Sequence, residues 1–493
     1  MADFKPQSLL LSDAPVLTPP FSLVVRLAIS TMTAMKLLPP AVVVDDQAPF
    51  KDALFGRKDF AESLTSLLRN VEEGLVIFLH APWGEGKTTF AQMWRAFLRG
   101  QKLEVIYFDA YASDYFDDPF VSFSGEILEL VDKRLAAEGI AEPRREFKKT
   151  AVEVGKRLAG LGAKVGLRAL TLGAVESGHL GELKEIGTEL ATGASEIGAD
   201  VIEKRIEHYT TEKDALKSFK RSLAKLAAVV REKQGFPLTI VVDELDRCRP
   251  DFALGLLERI KHLFDVEGIA FILLVNRDQI ESYVRTVYGE TVDARAYLLK
   301  FGNLFVDLPS HQPGEYEGKG RDEFCRRLFQ HYDLPVSGDD SDILGRSVNL
   351  FVRHFELTLR EIERMFALLA LYYGSRPKNQ LTHGLFIALL TILKVKEPTL
   401  YRLLATQSIS AGKFLSETRL DLIEKSTGNG VDRTWMLDIL NFCLLTDEEL
   451  AKIPEEIGPR RMGSWLFRYN MDRRRVIPFF CGRIDRFSLQ PGT

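Results

Sequence analysis

Four short apolar runs constrain the fold of this chain more than any other feature of its sequence. Each run is followed by polar residues and a helical pattern, and the runs are Leu75 to Leu79, Val105 to Phe108, Leu238 to Val242 and Ala270 to Val275. Runs of this length and composition are typical of strands that are buried on both faces of a parallel sheet. The sequence therefore predicts an α/β fold in which ligands bind at the carboxyl ends of the strands.

The residues after the first run have the pattern of a phosphate-binding loop. The segment "HAPWGEGKTTF", His80 to Phe90, places glycines and a Gly-Lys-Thr triplet between a strand and a helix. Glycines free backbone N–H groups to point at phosphates, a lysine reaches the outer phosphates and a hydroxyl group holds Mg²⁺. The predicted nucleotide-binding residues are Pro82, Trp83, Gly84, Glu85, Gly86, Lys87, Thr88 and Thr89.

One position departs from the usual loop pattern, because Ala81 stands where a first glycine is expected. A first glycine mainly permits the turn, whereas Gly84, Gly86, Lys87 and Thr88 would make the close contacts. We therefore interpret the loop as functional and expect Ala81 to affect its geometry more than its chemistry. If the turn is strained, exchange of Ala81 for glycine should raise the nucleotide affinity.

Two acids follow the third run, in the segment "LTIVVDELDRCRP". The strand delivers Asp243 to the edge of the sheet, where its carboxylate and Thr88 can hold Mg²⁺ and Glu244 can polarise the attacking water. The alternative is a solvated loop or a helix cap, which is weaker once the phosphate-binding loop is taken into account. The predicted cofactors are ATP and Mg²⁺, and the predicted reaction is hydrolysis of the nucleotide.

Two more polar residues are candidates for catalytic contacts. Asn276 follows the fourth run, where it could reach the γ-phosphate or the attacking water, or could instead open a turn or cap a helix. Arg360 lies in a predicted helix, from which a guanidinium could stabilise the charge of phosphoryl transfer. The alternative for Arg360 is a surface position beside Glu361 and Glu363.

Five segments resemble, in order, the motifs of the KAP P-loop NTPases, which are related to the AAA+ and STAND ATPases. They are "APWGEGKTTF", "VIYFDAYASDYFDDPFVSF", "VVDELDRCRP", "ARAYLLKFGNLFVDLP" and "LTLREIERMF", and the resemblance runs from about Phe50 to Tyr373. It implies a P-loop NTPase with a parallel sheet flanked by helices, in which a long insertion between the two nucleotide motifs often carries membrane helices. The string from Asp243 to Cys248 is its most specific piece.

The resemblance also implies roles for the matching residues. Lys87 and Thr88 would bind phosphates and Mg²⁺, while Asp243 would lie beside the metal and Glu244 would activate the water. Because family members include bacterial phage-exclusion proteins, the resemblance implies a defence setting by analogy.

The same resemblance concerns five further positions. Asp246 and Arg247 match the specific string, and Arg247 either pairs with an acid in its own loop or contacts nucleotide or a neighbouring subunit. Phe55 and Arg57, in the lead-in to the first strand, would flank the base. Asn276 departs from the family, which more often has aspartate there.

Four regions are predicted along the chain. Residues 1–44 form a flexible tail, residues 45–312 form the NTPase core and residues 313–375 form a helical lid. Residues 376–493 form a C-terminal α-helical domain. Residues 140–212 form a helical insertion, rich in Gly and Ala, within the core.

Two segments carry alternative predictions about partners. Residues 155–198 are rich in glycine but include Lys164 and Arg168, so we expect a helical insertion, with peripheral membrane contact as the alternative. The segment from Pro459 to Val476 mixes arginines with aromatic residues and either packs on its own domain or binds nucleic acid. A homo-oligomer or a protein partner is also compatible with the sequence.

Composition narrows the class of protein. The formal charge of −4 gives no global attraction to nucleic acid or to an anionic membrane. The four cysteines are far apart and fit neither a disulfide framework nor a zinc site. We predict a cytoplasmic ATPase, with membrane association as the alternative, whose nucleotide state drives a conformational switch. The alternative functions are a non-catalytic scaffold that nucleotide stabilises and a nucleic-acid-dependent ATPase that uses the basic C-terminal segment.

Overall fold

The computed structural model of the chain describes most of the residues from 36 to 487. The described ranges are 36–115, 123–129, 141–159, 195–261, 266–312, 318–336, 338–375, 381–423, 431–454 and 471–487, with residues 314 and 316, and the side chains of 155–159 and 195–213 are not included. Three predictions therefore concern segments outside the described residues. These segments are the tail up to residue 35, the glycine-rich part of the insertion at 160–194 and the aromatic part of the basic segment at 459–470.

Five parallel strands form one sheet. They are β1 (Leu75–His80), β2 (Val105–Asp109), β3 (Leu238–Asp243), β4 (Ile269–Val275) and β5 (Leu304–Asp307). Their order across the sheet is β2-β3-β4-β1-β5, with every neighbouring pair parallel. The predicted α/β fold with a parallel sheet is confirmed. Since β4 separates β1 from β3, its carboxyl end lies between the phosphate-binding loop and Asp243.

The fifth strand was not predicted from the sequence. Among the described strands it lies at the edge of the sheet and pairs with β1, from Ile77 beside Leu304 to His80 beside Asp307. Its first residue is exposed and the next two are half-buried. Its apolar run, Leu304 to Val306, has only three residues and is shorter than the runs that mark the four other strands.

Helices cover both faces of this sheet. The helices of this part are α1 (Arg57–Asn70), α2 (Lys87–Gly100), α3 (Ala141–Ala159), α4 (Ser195–Gln234), α5 (Pro250–Lys261), α6 (Arg277–Tyr288) and α7 (Ala294–Leu298). Side chains of β1 alternate between two buried clusters, with Val76 and Phe78 on one face and Ile77 and Leu79 on the other. The first cluster includes residues of α3 to α7, and the second includes residues of α1 and α2. This alternation is the strand period of two.

The described parts of the predicted insertion are helical and pack on each other. Phe147 of α3 and Phe219 of α4 are fully buried, with ring centroids 5.2 Å apart. Thr150 and Ser222 share a buried hydrogen bond of 2.6 Å between their hydroxyl groups. Within the part of the chain that the structure describes, no helix is both long and apolar enough to cross a membrane.

The region after the sheet is helical. Its helices are α8 (Lys319–Tyr332), α9 (Asp339–His354), α10 (Leu359–Gly374), α11 (Gly384–Lys396), α12 (Pro398–Ala405), α13 (Ala411–Thr418), α14 (Arg433–Leu444), α15 (Asp447–Ala451) and α16 (Val476–Ile484). One buried cluster includes residues from Cys325 to Ile484. Helix α11 belongs to this cluster and is buried along nearly its whole length. Residues on both sides of position 376 contribute to this core. The sequence predicted a boundary between lid and C-terminal domain at that position, and the boundary stays a prediction.

Candidate active site

The phosphate-binding loop turns between β1 and α2 through two left-handed glycines. Gly84 has a φ of +86° and Gly86 has a φ of +76°. Residues with a Cβ rarely adopt these angles, so glycine is required at both positions. Gly86 immediately precedes α2, which begins at Lys87. The loop therefore directs the N-terminus of α2, with its free N–H groups, towards the carboxyl edge of the sheet.

Ala81 fits the turn without backbone strain. It is absent from the described non-glycine residues that have a positive φ. Its N–H donates to the carbonyl of Val275 at 3.2 Å, which continues the β1–β4 pairing, and its side chain is only 4% exposed. The usual glycine is thus not needed for the backbone conformation at this position.

The two acids after β3 contact the first turn of α2. Thr88 Oγ1 donates to Glu244 Oε1 at 3.1 Å. Asp243 is 1% exposed, and its Oδ1 accepts from the N–H of Glu244 at 2.8 Å while its Oδ2 accepts from the hydroxyl of Tyr107 at 2.7 Å. Burial raises the pKa of the Asp243 carboxyl, and hydrogen bonds from Tyr107 and Thr88 oppose that rise.

Glu244 is held in an unusual backbone conformation. Its φ is +60°, in the left-handed region, where it precedes a short 3₁₀ turn from Leu245 to Arg247. Its Oε2 forms an ion pair with the guanidinium of Arg247. Burial and the neighbouring Asp243 raise the pKa of Glu244, while Arg247 lowers it. A non-glycine residue in this conformation costs free energy, and such strain concentrates at functional sites. The pairing within the loop is the one that sequence reasoning gave as the first alternative for Arg247.

Asp246 joins the loop to the ends of two strands. Its carboxylate is 1% exposed, and Oδ2 accepts from Trp83 Nε1 at 2.8 Å and from the N–H of Asn276 at 2.7 Å. Lys87 Nζ lies 3.4 Å from the same oxygen and donates to the carbonyl of Ala81 at 2.8 Å. Burial lowers the pKa of Lys87, and Asp246 raises it. This one carboxylate therefore contacts the tip of the loop, its lysine and the end of β4.

The side chain of Asn276 does not cap the helix that follows it, and its predicted contact with the γ-phosphate or the attacking water stays a prediction. Its position before α6 is that of a helix cap, yet the side chain makes no capping hydrogen bond. Its Oδ1 is buried and has no hydrogen-bond partner among the described residues. The backbone N–H of Asn276 donates to Asp246 Oδ2, which ties the end of β4 to the turn after β3.

Two arginines outside the loop form hydrogen bonds with its residues Glu85 and Gly86. Arg57 is 5% exposed and donates to the carbonyl of Gly86 at 3.3 Å and to that of Glu85 at 2.5 Å. Arg321 of α8 donates to Glu85 Oε1 at 3.1 Å. Burial lowers the pKa of Arg57 to about 10, with Glu85 opposing that shift and Arg321 adding to it. The guanidinium of Arg57 also lies 5.2 Å from the centre of the Phe55 ring. Arg57 thus supports the loop backbone, a contact beyond the base-flanking role that the resemblance implied.

The helical region contacts the loop where α10 begins. The N–H of Arg360 donates to the carbonyl of Gly84 at 3.2 Å. Thr358 and Glu361 form a capping box at this helix start. A Cβ placed on Gly84 would lie 2.7 Å from the Cβ of Arg360, so only glycine allows this approach. The exposed side chain of Arg360 lines the cleft beside the loop.

A cleft of about 570 Å³ lies between these elements, which is within the size range of small-molecule sites. Its lining includes Pro40, Ala41, Val42 and Val43 before α1, Trp83, Gly84, Gly86, Lys87, Thr88 and Thr89 of the loop, Glu244, Asp246 and Arg247 after β3, and Leu328, His331, Leu359 and Arg360 of the helical region. The other predicted site residues, Pro82, Glu85, Asp243 and Asn276, are among the described residues but do not line the cleft. Residues 36–44, which the sequence assigned to a flexible tail, contribute to its wall, and the carbonyl of Leu38 lies 3.1 Å from His331 Nε2.

Comparison with known families agrees with this arrangement. The model of the KAP family P-loop domain matches residues 57–375. The chain belongs to the KAP family. The resemblance predicted from the sequence is thereby confirmed, and a KAP P-loop domain is a nucleotide-binding NTPase domain. The residue roles that the KAP motifs imply stay predictions.

Comparisons with solved structures and with curated proteins give no further evidence on the family of this chain. A solved structure described as that of the Aeropyrum pernix ORC2 protein, in ADPNP and ADP complexes, is similar to this KAP chain at 13% identity and a TM-score of 0.31, covering 91% of this chain and 95% of that chain. A TM-score this low does not by itself show a shared fold. No curated protein matches the chain.

Sequence reasoning missed several residues of this KAP site. Tyr107, Arg321 and the segment 40–43 lie next to the predicted residues in space but far from them along the chain. Only the string "VIYFDAYASDYFDDPFVSF", already part of the KAP resemblance, could have drawn attention to Tyr107. Nothing in the local sequence marks Arg321 or residues 40–43 as neighbours of the loop.

Proposed function

We propose that this KAP domain binds ATP with Mg²⁺ and hydrolyses it in the cleft between the loop, β3 and α10. The observation that carries the proposal is the 3.1 Å hydrogen bond from Thr88 Oγ1 to Glu244 Oε1. It joins the hydroxyl of the Gly-Lys-Thr triplet to the acid beside Asp243. Phosphoryl transfer requires these two parts in one place, since the protein contributes mainly positioning and electrostatic stabilisation.

The residues around Thr88 suit Mg²⁺. A hydroxyl and two carboxylates provide oxygen ligands, the type that Mg²⁺ prefers. Thr88 and Asp243 would hold the ion, directly or through water. Bound Mg²⁺ would neutralise negative charge on the phosphates.

The remaining residues have roles that follow from their chemistry. The N–H groups at the start of α2 and the ammonium of Lys87 would bind the phosphates, in place of the present contact of Lys87 with Asp246. Glu244 would accept a proton from the attacking water, because it is the partly accessible carboxylate of the pair. Arg360 would stabilise charge on the γ-phosphate from the start of α10. Asn276 would hold Asp246 through its backbone N–H, and its side chain, whose Oδ1 is buried without a hydrogen-bond partner among the described residues, would reach the γ-phosphate or the attacking water as the sequence predicts.

The proposal includes a conformational switch, with residues 313–375 as the lid. Arg321 and Arg360 attach this segment to two adjacent residues of the loop, Glu85 and Gly84. Lys396, at the end of α11, lies 3.3 Å from Glu361, the residue that completes the capping box beside Arg360. Nucleotide in the loop would thus act on the lid and, through Glu361, on the C-terminal helices.

The test of turnover compares two site variants with matched controls. We expect Glu244→Gln to bind ATP but to lose about 10²- to 10⁴-fold in phosphate release, the range for loss of a general base. We expect Lys87→Ala to weaken ATP binding about ten- to hundredfold, as for a lost hydrogen bond to a charged group. The controls are Glu281→Gln on α6 and Lys58→Ala on α1, which make the same exchanges in ion pairs outside the cleft. Both controls should bind and hydrolyse ATP like the wild type.

Equal phosphate release by the wild type and both site variants would refute the proposal. Wild-type protein that binds ATP but releases no phosphate above background would instead support the non-catalytic scaffold. Stimulation of phosphate release by DNA or RNA, lost when the arginines at 473–475 are neutralised, would support the nucleic-acid-dependent ATPase. The cytoplasmic setting, the membrane contact, the oligomer and the defence role stay predictions.

A further inference from the structure

Tyr107 lies beside the proposed metal-binding carboxylate, although it belongs to a different strand. In the parallel pair of β2 and β3, Tyr107 is opposite Val241 and Asp109 is opposite Asp243. Alternate residues of a strand share a face of the sheet, so Tyr107 and Asp243 are diagonal neighbours on one face. The long phenol side chain spans this diagonal, and its hydroxyl donates to Asp243 Oδ2 at 2.7 Å.

The hydrogen bonds to Asp243 fix the orientation of its carboxylate. Oδ1 accepts from the N–H of Glu244 at 2.8 Å, and Oδ2 accepts from Tyr107. An ionised carboxylate has about four lone-pair sites, so the donors Glu244 N–H, Tyr107 and Thr88 still leave a site open. The carboxylate is therefore held on both sides while it keeps the capacity to bind a cation.

Tyr107 is itself fixed by the helix that follows the phosphate-binding loop. The guanidinium carbon of Arg95, on α2, lies 5.7 Å from the centre of the Tyr107 ring. A phenol is protonated at neutral pH, so the hydroxyl of Tyr107 can donate to the carboxylate. The tyrosine thus connects α2, which begins in the loop, to the carboxylate at the end of β3.

We infer that Tyr107 is a positioning residue for the metal, which holds the Asp243 carboxylate in the orientation that binds the Mg²⁺ of the Mg–nucleotide complex. The inference rests on the proposed Mg²⁺ site at Thr88 and Asp243, but not on turnover. Tyr107 acts through Asp243 and contacts neither nucleotide nor metal. Loss of the partner that orients a metal-binding side chain typically costs 10- to 100-fold in metal affinity.

The experiment measures the Mg²⁺ dependence of ATP binding by the full chain. Binding is titrated at increasing Mg²⁺ and, separately, in excess EDTA, for the wild type, Tyr107→Phe and Tyr288→Phe. Tyr288→Phe is the matched control, since it also removes one phenol hydroxyl that donates to a carboxylate, that of Glu258 on α5. We expect Tyr107→Phe to raise the half-saturating Mg²⁺ concentration about tenfold or more. The affinity of this variant for ATP in EDTA should stay within twofold of the wild type. Tyr288→Phe should change neither value.

A double-mutant cycle shows whether Tyr107 acts through Asp243. Asp243→Asn alone should weaken the effect of Mg²⁺ on ATP binding. Addition of Tyr107→Phe to Asp243→Asn should then cause no further change in that effect. An unchanged Mg²⁺ dependence in Tyr107→Phe, an equal loss of binding in EDTA, or a further loss in the double variant would each overturn the inference. A wild type that binds ATP with normal Mg²⁺ dependence but does not hydrolyse it would contradict the proposed turnover and leave this test intact.

Discussion

Lys87 Nζ lies 3.4 Å from Asp246 Oδ2, and both side chains are buried. The lysine belongs to the Gly-Lys-Thr triplet, and the aspartate lies in the 3₁₀ turn after the strand that carries Asp243. The same carboxylate oxygen accepts from the indole of Trp83, which is part of the loop. Asp246 therefore supplies the counter-charge of Lys87 and also holds the loop near β3.

We expect Asp246→Asn to destabilise the protein and to make it more responsive to nucleotide. Removal of one partner of a buried ion pair leaves the other charge uncompensated, at a cost of about 3 kcal/mol or more. Phosphates would replace the lost counter-charge of Lys87, so ATP should raise the melting temperature of the variant more than that of the wild type. Thermal unfolding with and without ATP measures both effects.

Asp251→Asn is the control for this prediction, since Asp251 is exposed in the first turn of α5. It should change the melting temperature by little. A melting temperature of Asp246→Asn that equals that of the wild type would show that the carboxylate is not an important counter-charge for Lys87.

The sequence predicted the parts of this site that depend on local patterns. A buried parallel strand is a continuous apolar run, which made β1 to β4 predictable to within two residues of their observed ends. Gly84 and Gly86 were predicted because the loop conformation restricts residue type within a few positions. Asp243 and Glu244 were predicted because the end of a strand determines where the following residues lie.

Contacts between distant segments could not be predicted in this way. Arg321 and Glu85 are separated by 236 positions, and Tyr107 and Asp243 by 136. Each pair depends on how strands and helices pack in three dimensions, and neither member has a local pattern that identifies its partner. The place of Asn276 after β4 left two predictions open, a contact with nucleotide and a turn or helix cap, because the end of a strand does not determine where a side chain turns.

We expect Gly84→Ala to weaken both the fold and nucleotide binding. Alanine would have to adopt a φ of +86°, and its Cβ would lie 2.7 Å from that of Arg360. The strain and the clash together should cost about 1–3 kcal/mol and displace the start of α10 from the loop. Urea denaturation and ATP titration measure the two effects. Gly100→Ala, at the end of α2, is the matched control, because a Cβ at that position meets nothing within 4 Å. If Gly100→Ala loses as much stability as Gly84→Ala, this account is contradicted.

We expect Ala81→Gly to leave the ATP affinity unchanged, because the turn at Ala81 is not strained. Its backbone does not adopt the left-handed conformation that glycine would relieve. Glycine would add conformational freedom to the unfolded chain and would remove a buried methyl group, so stability should fall by about 0.5–1 kcal/mol. Calorimetric titration with ATP and urea denaturation of the same samples test both parts. Tighter ATP binding by the variant would show that the turn is strained after all.

We expect Gly384→Ala to destabilise the helical region without a direct effect on the site. A Cβ at the first residue of α11 would lie 2.5 Å from the backbone nitrogen of Leu344 and 2.8 Å from the carbonyl oxygen of Asp340, both on α9. Backbone atoms cannot move aside as a side chain can, so the two helices would separate, at a cost of about 1–3 kcal/mol. Gly412→Ala, where nothing lies within 4 Å, is the control for urea denaturation. Equal stability of the two variants would contradict the close contact of α9 and α11.

The last prediction concerns the charges that attach the lid to the loop. Glu85 lies between two arginines, since Arg57 donates to its carbonyl and Arg321 pairs with its carboxylate at 3.1 Å. Glu85→Gln would leave two guanidinium groups near each other without their anion, whereas Arg321→Met would remove one of them. We therefore expect Glu85→Gln to cost more stability than Arg321→Met, and the double variant to be more stable than their sum implies.

A double-mutant cycle in urea denaturation measures this coupling, which we expect to be about 1 kcal/mol for a pair that is largely but not fully buried. Glu323 and Arg326 provide the control cycle, because they form an ion pair on the surface of α8. Solvent screens an exposed pair, so this control cycle should show little coupling. If the Glu85 and Arg321 variants are additive, the pair does not attach the lid, and the contact of Arg360 with Gly84 would have to hold α10 against the loop alone.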